Sequence, residues 1–554
     1  MKESKIYIKY KIGNKVYEDD LYQNQHYTIE ANADGDNGVR FVFVPREKIE
    51  LVSFELKYLR KTVPGEKFFV NGYQAWTTSR EMGADDVQKG LTPLAKVIPF
   101  AKVLLDLTGD YAFTEYSGKP GRFHSFTYTY FRKENVVELY GSLNERTGFT
   151  IFSVDMDAGE MRIAKDVAGA VVTEPYEILN VVKISGEYDE VFDKYFAAMN
   201  IPKPRLTHMA GYTSWYNYFG NIDENIINRD IDNFARVGEN ADIFQIDDGY
   251  QTFVGDWIDP NPAKFPSGMK AVADRIHDKG YMAGLWMAPF NAAKNSRVAR
   301  EHPDWFLRKP NGKPATTIFN WGGAYTFDIY NEEAREYIAH CFDVVLNEWG
   351  FDMVKLDFLY SHCIKPRNGK CRGRLMAEGM DFLRECVGDK LILGCGVPLG
   401  SAFGVVDACR IGCDVVTRYK GRYYTNMHIC AEIPSAQNAI NNAIFRRHLD
   451  GRAFCNDPDV FFLRDYNIKY TDMQKKLLAR INHLFGNVLF VSDDVGTYND
   501  EQLALLYKTF APSNAIIISA EYTDKDYITV KYLEDGERKT LAFDLKAGET
   551  SSEL

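Results

Sequence analysis

Short runs in which apolar and polar residues alternate fill the first third of the chain. Lys5-Ile6-Tyr7-Ile8-Lys9-Tyr10 and Arg40-Phe41-Val42-Phe43-Val44 are two of them. A period of two puts every second side chain on one face, as a half-buried strand requires. Clusters of turn-forming residues separate the runs. Ala33-Asp34-Gly35-Asp36-Asn37-Gly38 is one; it resembles a calcium loop in outline but lacks the closing glutamate, so a turn is expected there. Arg122-Phe123-His124-Ser125-Phe126-Thr127-Tyr128 reads as a further strand. So many short strands with turns between them predict a β-sandwich over residues 1–204.

The pattern changes after the linker Ile201-Pro202-Lys203-Pro204-Arg205. Compact apolar runs now alternate with segments of helix length, the mark of parallel βα units. Strand candidates lie at 210–215, 243–247, 282–287, 353–358, 391–395, 408–414, 453–457 and 488–493. Eight parallel strands in one domain predict a closed (β/α)8 TIM barrel over residues 205–511, completed by a helix near 500–510. Ile516-Ile517-Ile518 and Tyr527-Ile528-Thr529-Val530, with a hairpin turn at Glu534-Asp535-Gly536-Glu537, predict a small C-terminal β domain over 512–554.

Composition narrows the partners. Lys plus Arg is 66 and Asp plus Glu is 77, a formal net charge of -11 that argues against nucleic acid. The run 91–107 comes nearest to a membrane span, but it carries two lysines, two prolines and an aspartate, so no membrane association is expected. The first residues show no apolar run ahead of small residues, so no secretory signal is read. Nine cysteines fall between Cys341 and Cys455 without a Cys-x-x-Cys pair. Reduced thiols in a cytoplasmic protein are expected, with association into a homo-oligomer left open.

The chemistry-bearing residues gather at the strand ends, which form the mouth of such a barrel. Strand two ends in Asp247-Asp248-Gly249, strand four in Lys355-Leu356-Asp357, and strand six carries Arg410 and ends in Asp414. Strand seven ends in Asn456-Asp457-Pro458-Asp459 and strand eight in Asp493-Asp494. Aspartate is a favoured helix cap after a strand, and any one of these fits that role. The set does not, because an acidic ring is costly unless something uses it. Lys355 and Asp357, two apart on a strand, share a face, and an adjacent ammonium keeps a carboxylate ionised, as a nucleophile needs. Arg410 and Asp414 share a face in the same way, and Asp414 would alternate between acid and base. A metal is not expected, because lysine and arginine sit among the acids and no histidine lies at a strand end; His362 is the nearest. No cofactor is expected either. Gly394-Cys395-Gly396-Val397-Pro398-Leu399-Gly400 has the wrong spacing for a dinucleotide loop and reads as a tight turn.

An ordered series of motifs resembles glycoside hydrolase family 36, the α-galactosidases. It comprises Ser214-Trp215-Tyr216-Asn217-Tyr218, Gln245-Ile246-Asp247-Asp248-Gly249-Tyr250, Gly255-Asp256-Trp257 and Lys264-Phe265-Pro266-Ser267-Gly268-Met269. Gly284-Leu285-Trp286-Met287-Ala288-Pro289, His302-Pro303-Asp304-Trp305, Val354-Lys355-Leu356-Asp357, Asp407 to Asp414 and Asn456-Asp457-Pro458-Asp459 continue it. Phe69-Val70-Asn71-Gly72-Tyr73-Gln74-Ala75-Trp76 is similar to that family's β domain. The resemblance implies a retaining hydrolase of small-molecule α-galactosides, with Asp357 as nucleophile and Asp414 as acid/base. It implies sugar contacts from Asp247, Asp248, Lys355, Arg410 and Cys395, with Trp257 packed on an apolar face and Trp76 closing the pocket from the β domain. Phe290 stands where many relatives carry an acid, and Cys413 where a small residue or proline is usual. The alternatives are an α-N-acetylgalactosaminidase or a galactosyl transferase on the same scaffold and, from another class, a non-catalytic sugar-binding protein.

Overall fold

The structure, a computed structural model, describes residues 4–33, 37–92, 109–421 and 434–552. Residues 34–36 of the turn cluster and 93–107 of the apolar run therefore lie outside the described residues.

Two seven-stranded antiparallel sheets build the N-terminal part. The alternation seen in the sequence becomes burial: in Lys5–Ile12, Ile6, Ile8 and Tyr10 point into the core between the sheets. The run at 122–128 is corrected from one strand to two. Arg122–Phe126 pairs with Phe149–Asp155 in one sheet, and Tyr128–Lys133 pairs with Val136–Ser142 in the other. Thr127 between them has φ 70, and this left-handed turn carries the chain across the sandwich.

Met209–Thr213 opens an eight-stranded parallel barrel. It continues through Ile243–Ile246, Met282–Met287, Met353–Leu356, Leu391–Gly394 and Ala408–Arg410. The seventh strand comes in two pieces: Cys455–Asp457 pairs with strand six, and Val460–Phe461 pairs with Val488–Val491, strand eight. Pro458 has no N–H to donate and Asp459 has φ 80, so the ladder breaks there while the ring stays closed. Strand eight pairs back to strand one. Helices follow the strands, among them Glu224–Phe234, Gly268–Asp278, Arg372–Val387 and Ala436–Phe445; the fifth is cut to the single turn Leu399–Ala402. Ile516–Asp524, Tyr527–Glu534 and Glu537–Asp544 form the C-terminal meander, with Asp535 and Gly536 at φ 54 and 81 in the expected hairpin turn.

One apolar core fills the barrel and also takes in Phe69, Tyr73, Phe126, Tyr128 and Phe149 of the sandwich. The sandwich thus leans on the barrel with its own core residues. Among the described residues no helix is long and apolar enough to cross a membrane.

Candidate active site

Asp357 is the first residue beyond strand four. Its N–H still bonds to Met287 O of strand three. Phe358 follows at φ 55, a conformation costing a bulky residue about 1–3 kcal/mol. That turn aims the Phe358 N–H at Asp357 Oδ1, 2.7 Å away, while Trp286 Nε1 donates to Oδ2 at 3.2 Å. Each oxygen is held by one donor, which locks the carboxylate's orientation and leaves lone pairs free. Gly396, at φ 58, lies alongside: a Cβ there would come within 3.3 Å of Asp357 Oδ1 and 3.1 Å of Phe358 N.

Lys355 turns out to serve a different carboxylate from the one expected. Its Nζ is 2.7 Å from Asp247 Oδ2, both side chains being almost wholly buried. Burial would depress this ammonium, but the Asp247 charge outweighs it and Lys355 is held above its usual value. Asp357 is a more distant contributor, and its immediate donors are the indole and the backbone. Asp248 faces the same space with Gln251 Nε2 on Oδ1 at 2.6 Å and Trp321 Nε1 on Oδ2 at 3.0 Å. The Asp248 N–H bonds to Asp247 Oδ1 and Gly249 has φ 123, so the chain bends where two adjacent aspartates must serve one site.

Strand six stops at Arg410, so Asp414 does not share a strand face with it; Ile411 to Cys413 form a loop that folds Asp414 back. Arg410 NH1 is 3.3 Å from Asp414 Oδ1, its Nε 3.2 Å from Asp457 Oδ2 and its NH2 2.8 Å from Asp459 Oδ1. One guanidinium thus faces three carboxylates and can neutralise only one. Asp459 also accepts from Tyr216 OH at 2.5 Å and from the Val415 N–H. About a third of the Asp414 side chain is exposed. Burial pushes its carboxyl above the usual range; Arg410 opposes, and the charge of Asp357 adds to the rise. Cys395 lies among the same charges, its thiol pushed well up by burial and then by Asp357.

A loop of the sandwich completes the mouth. Gln74 bridges to Pro398 beyond strand five, and Tyr73 OH lies 3.2 Å from Cys363 Sγ beyond strand four. The fully buried Arg446 donates to the carbonyls of Gln74, Ala75 and Thr77, and at 2.6 Å to Ile411 O beside Arg410. Burial pushes its guanidinium down to about 10. Asn438 Nδ2 donates to Trp76 O, so this partly exposed tryptophan is tied to the helix after strand six. Arg446→Met should cost about 3 kcal/mol, because carbonyls of both parts lose a buried donor; an unchanged denaturant midpoint would show that the loop is held without it.

Trp257 is corrected. It is 0% exposed and packs edge-to-face on Trp286 at 5.7 Å, supporting that ring from behind with no face open to a sugar. The residues to which the sequence assigned no individual role are the partners of the acids: Trp286, Trp321, Gln251, Asp457, Asp459 and Tyr216. Trp286, Tyr216 and the two aspartates lay within quoted motifs. Trp321 carried only the signal of an aromatic before Gly322-Gly323.

The Melibiase family model matches residues 212–370. A stretch of 131 residues is 35% identical to the A type blood α-D-galactosamine galactosaminidase of Flavonifractor plautii, covering 22% of this chain and 12% of that protein. A stretch of 151 residues is 26% identical to α-galactosidase Mel36A of Lactobacillus acidophilus, covering 26% and 20%. These alignments span a fifth or less of the curated relatives' length. Among solved structures, TtGalA, an α-galactosidase from Thermus thermophilus in complex with stachyose, is 25% identical over 88% of this chain and 100% of its own, with a TM-score of 0.69. The chain is therefore similar to the Melibiase family over residues 212–370 and similar in fold to solved α-galactosidases.

Proposed function

We propose that this protein is a retaining glycoside hydrolase that releases terminal α-linked galactose by double displacement. Asp357 attacks the anomeric carbon, and Asp414 protonates the leaving oxygen. Once Asp357 is esterified its charge is gone, the repulsion that raises Asp414 falls, and Asp414 takes a proton from the attacking water. The observation that carries this reading is the contrast between the two acids. Asp357 is pinned by an indole and a backbone N–H, whereas Asp414 is raised by burial, shares one guanidinium with two other carboxylates and remains partly exposed. Asp247 and Asp248 accept sugar hydroxyls, with Lys355 holding Asp247; Arg410, Cys395 and Trp76 line the rest. The free thiols of Cys341, Cys363, Cys371, Cys386, Cys395, Cys409 and Cys455 fit a reducing compartment such as the cytoplasm.

The test is hydrolysis of nitrophenyl α-galactoside followed by proton NMR. The first sugar released should be the α-anomer, and the matching α-glucoside should be cleaved at least ~10-fold more slowly, since a buried acceptor aimed at an axial hydroxyl is left unpaired by the equatorial epimer. A first-formed β-anomer would overturn the double displacement, and equal rates on the two sugars would overturn the pocket assignment. The 35% identity to a galactosaminidase favours a second reading, an enzyme for 2-amino or 2-acetamido galactosides, which assay of those glycosides beside the galactoside decides.

A further inference from the structure

Between strands three and four the chain inserts a small antiparallel sheet of Asn291–Ala293, Ala324–Thr326 and Thr316–Ile318. Its connection at 319–323 carries Trp321 at φ 57, ψ 29, followed by Gly322 and Gly323 at φ 75 and 100. A tryptophan in the left-handed region is strained, and such strain persists only where surrounding contacts enforce it. The indole N–H meets Asp248 Oδ2 at 3.0 Å, and the ring lies edge-on to Phe358 at 4.9 Å and near Trp286 at 6.1 Å. Phe358 and Trp286 are the two residues whose N–H groups hold Asp357. Trp321 remains partly exposed, while Trp257 and Trp286 are buried.

We propose that Trp321 is a specificity-determining positioning residue, whose indole N–H orients Asp248 as a hydroxyl acceptor and whose ring forms the wall between Asp248 and the turn that carries Asp357. The proposal rests on the glycosidase reading above. Both oxygens of Asp248 are used once by protein, on one side by Gln251 and on the other by Trp321, so the remaining lone pairs point in directions that these two donors set. The carboxyl is pushed up by burial and by the charges of Asp247 and Asp357, and the two donors hold it down. Lys264, from the segment before the helix after strand two, and Tyr250 also face it.

The experiment compares the unmodified protein with Trp321→Phe, which keeps the ring and removes the N–H. On nitrophenyl α-galactoside, KM should rise about tenfold with kcat within about threefold, because a lost charge-assisted hydrogen bond is worth at least that factor. The acid limb of kcat/KM should move up by about one pH unit, since the ionised acceptor has lost a donor and is protonated at higher pH. An unshifted acid limb overturns the proposal, whatever the change in KM. If the unmodified protein cleaves no galactoside, the functional reading falls instead; calorimetric galactose binding across pH then tests Trp321 by the same shift.

Discussion

Asp357→Ala should lower kcat/KM on nitrophenyl α-galactoside by about four orders of magnitude or more, the size of effect seen when a covalent nucleophile is removed. Neither Lys355 nor Cys395 can replace it. Lys355 is committed to Asp247, and the thiol of Cys395, pushed well up by burial and by the Asp357 charge, stays protonated and a poor nucleophile. The alanine leaves a space flanked by Trp286 and Gly396, large enough for a small anion. Azide should enter it, attack from the face Asp357 used, and give β-galactosyl azide with partial recovery of rate. Near-normal hydrolysis by the variant, or azide that gives no galactosyl azide, removes Asp357 from the nucleophile's role.

Asp414→Ala should act in a way that depends on the leaving group. Substrates whose aglycone leaves as a stable anion need little protonation and should lose about tenfold, whereas galactosides of ordinary sugar alcohols should lose the 10²–10⁴-fold typical of general acid catalysis. The pH profile gives a second measurement. A carboxyl held above its usual value by burial and by Asp357 donates its proton over the acid range and loses that ability as pH rises through the raised value. In the unmodified protein kcat/KM should therefore fall on the alkaline side, and in Asp414→Ala that fall should vanish for activated substrates. A uniform loss on all aglycones with the alkaline fall intact would place the acid elsewhere.

Much of the fold was legible along the chain. The period of two in 5–10 and 40–44 became strands of the sandwich. The eight apolar runs became the eight barrel strands, because parallel strands covered on both faces are apolar throughout. The ends were less legible. The sixth strand stops at Arg410, four residues short of the expected bound, because apolar character continues into a buried loop and does not mark where pairing ceases. Thr127 splits one apparent strand into two because a sheet switch needs a dihedral, which alternation does not encode.

By itself the sequence determined that acids gather at the strand ends, but Asp493 and Asp494 there are structural, the first buried against Arg464 and the second capping the turn at Val495–Thr497. Only the tertiary structure decided how those acids are paired. Lys355 sits two residues from Asp357 yet binds Asp247, 108 positions away along the chain. Trp321 and Gln251 fix Asp248, and Arg410 divides itself among Asp414, Asp457 and Asp459. Trp257, which resemblance put against the sugar, was enclosed behind Trp286. Hydrogen bonds and ion pairs act over about 3 Å in space, and closing a barrel brings together groups whose sequence separation carries no trace of that distance.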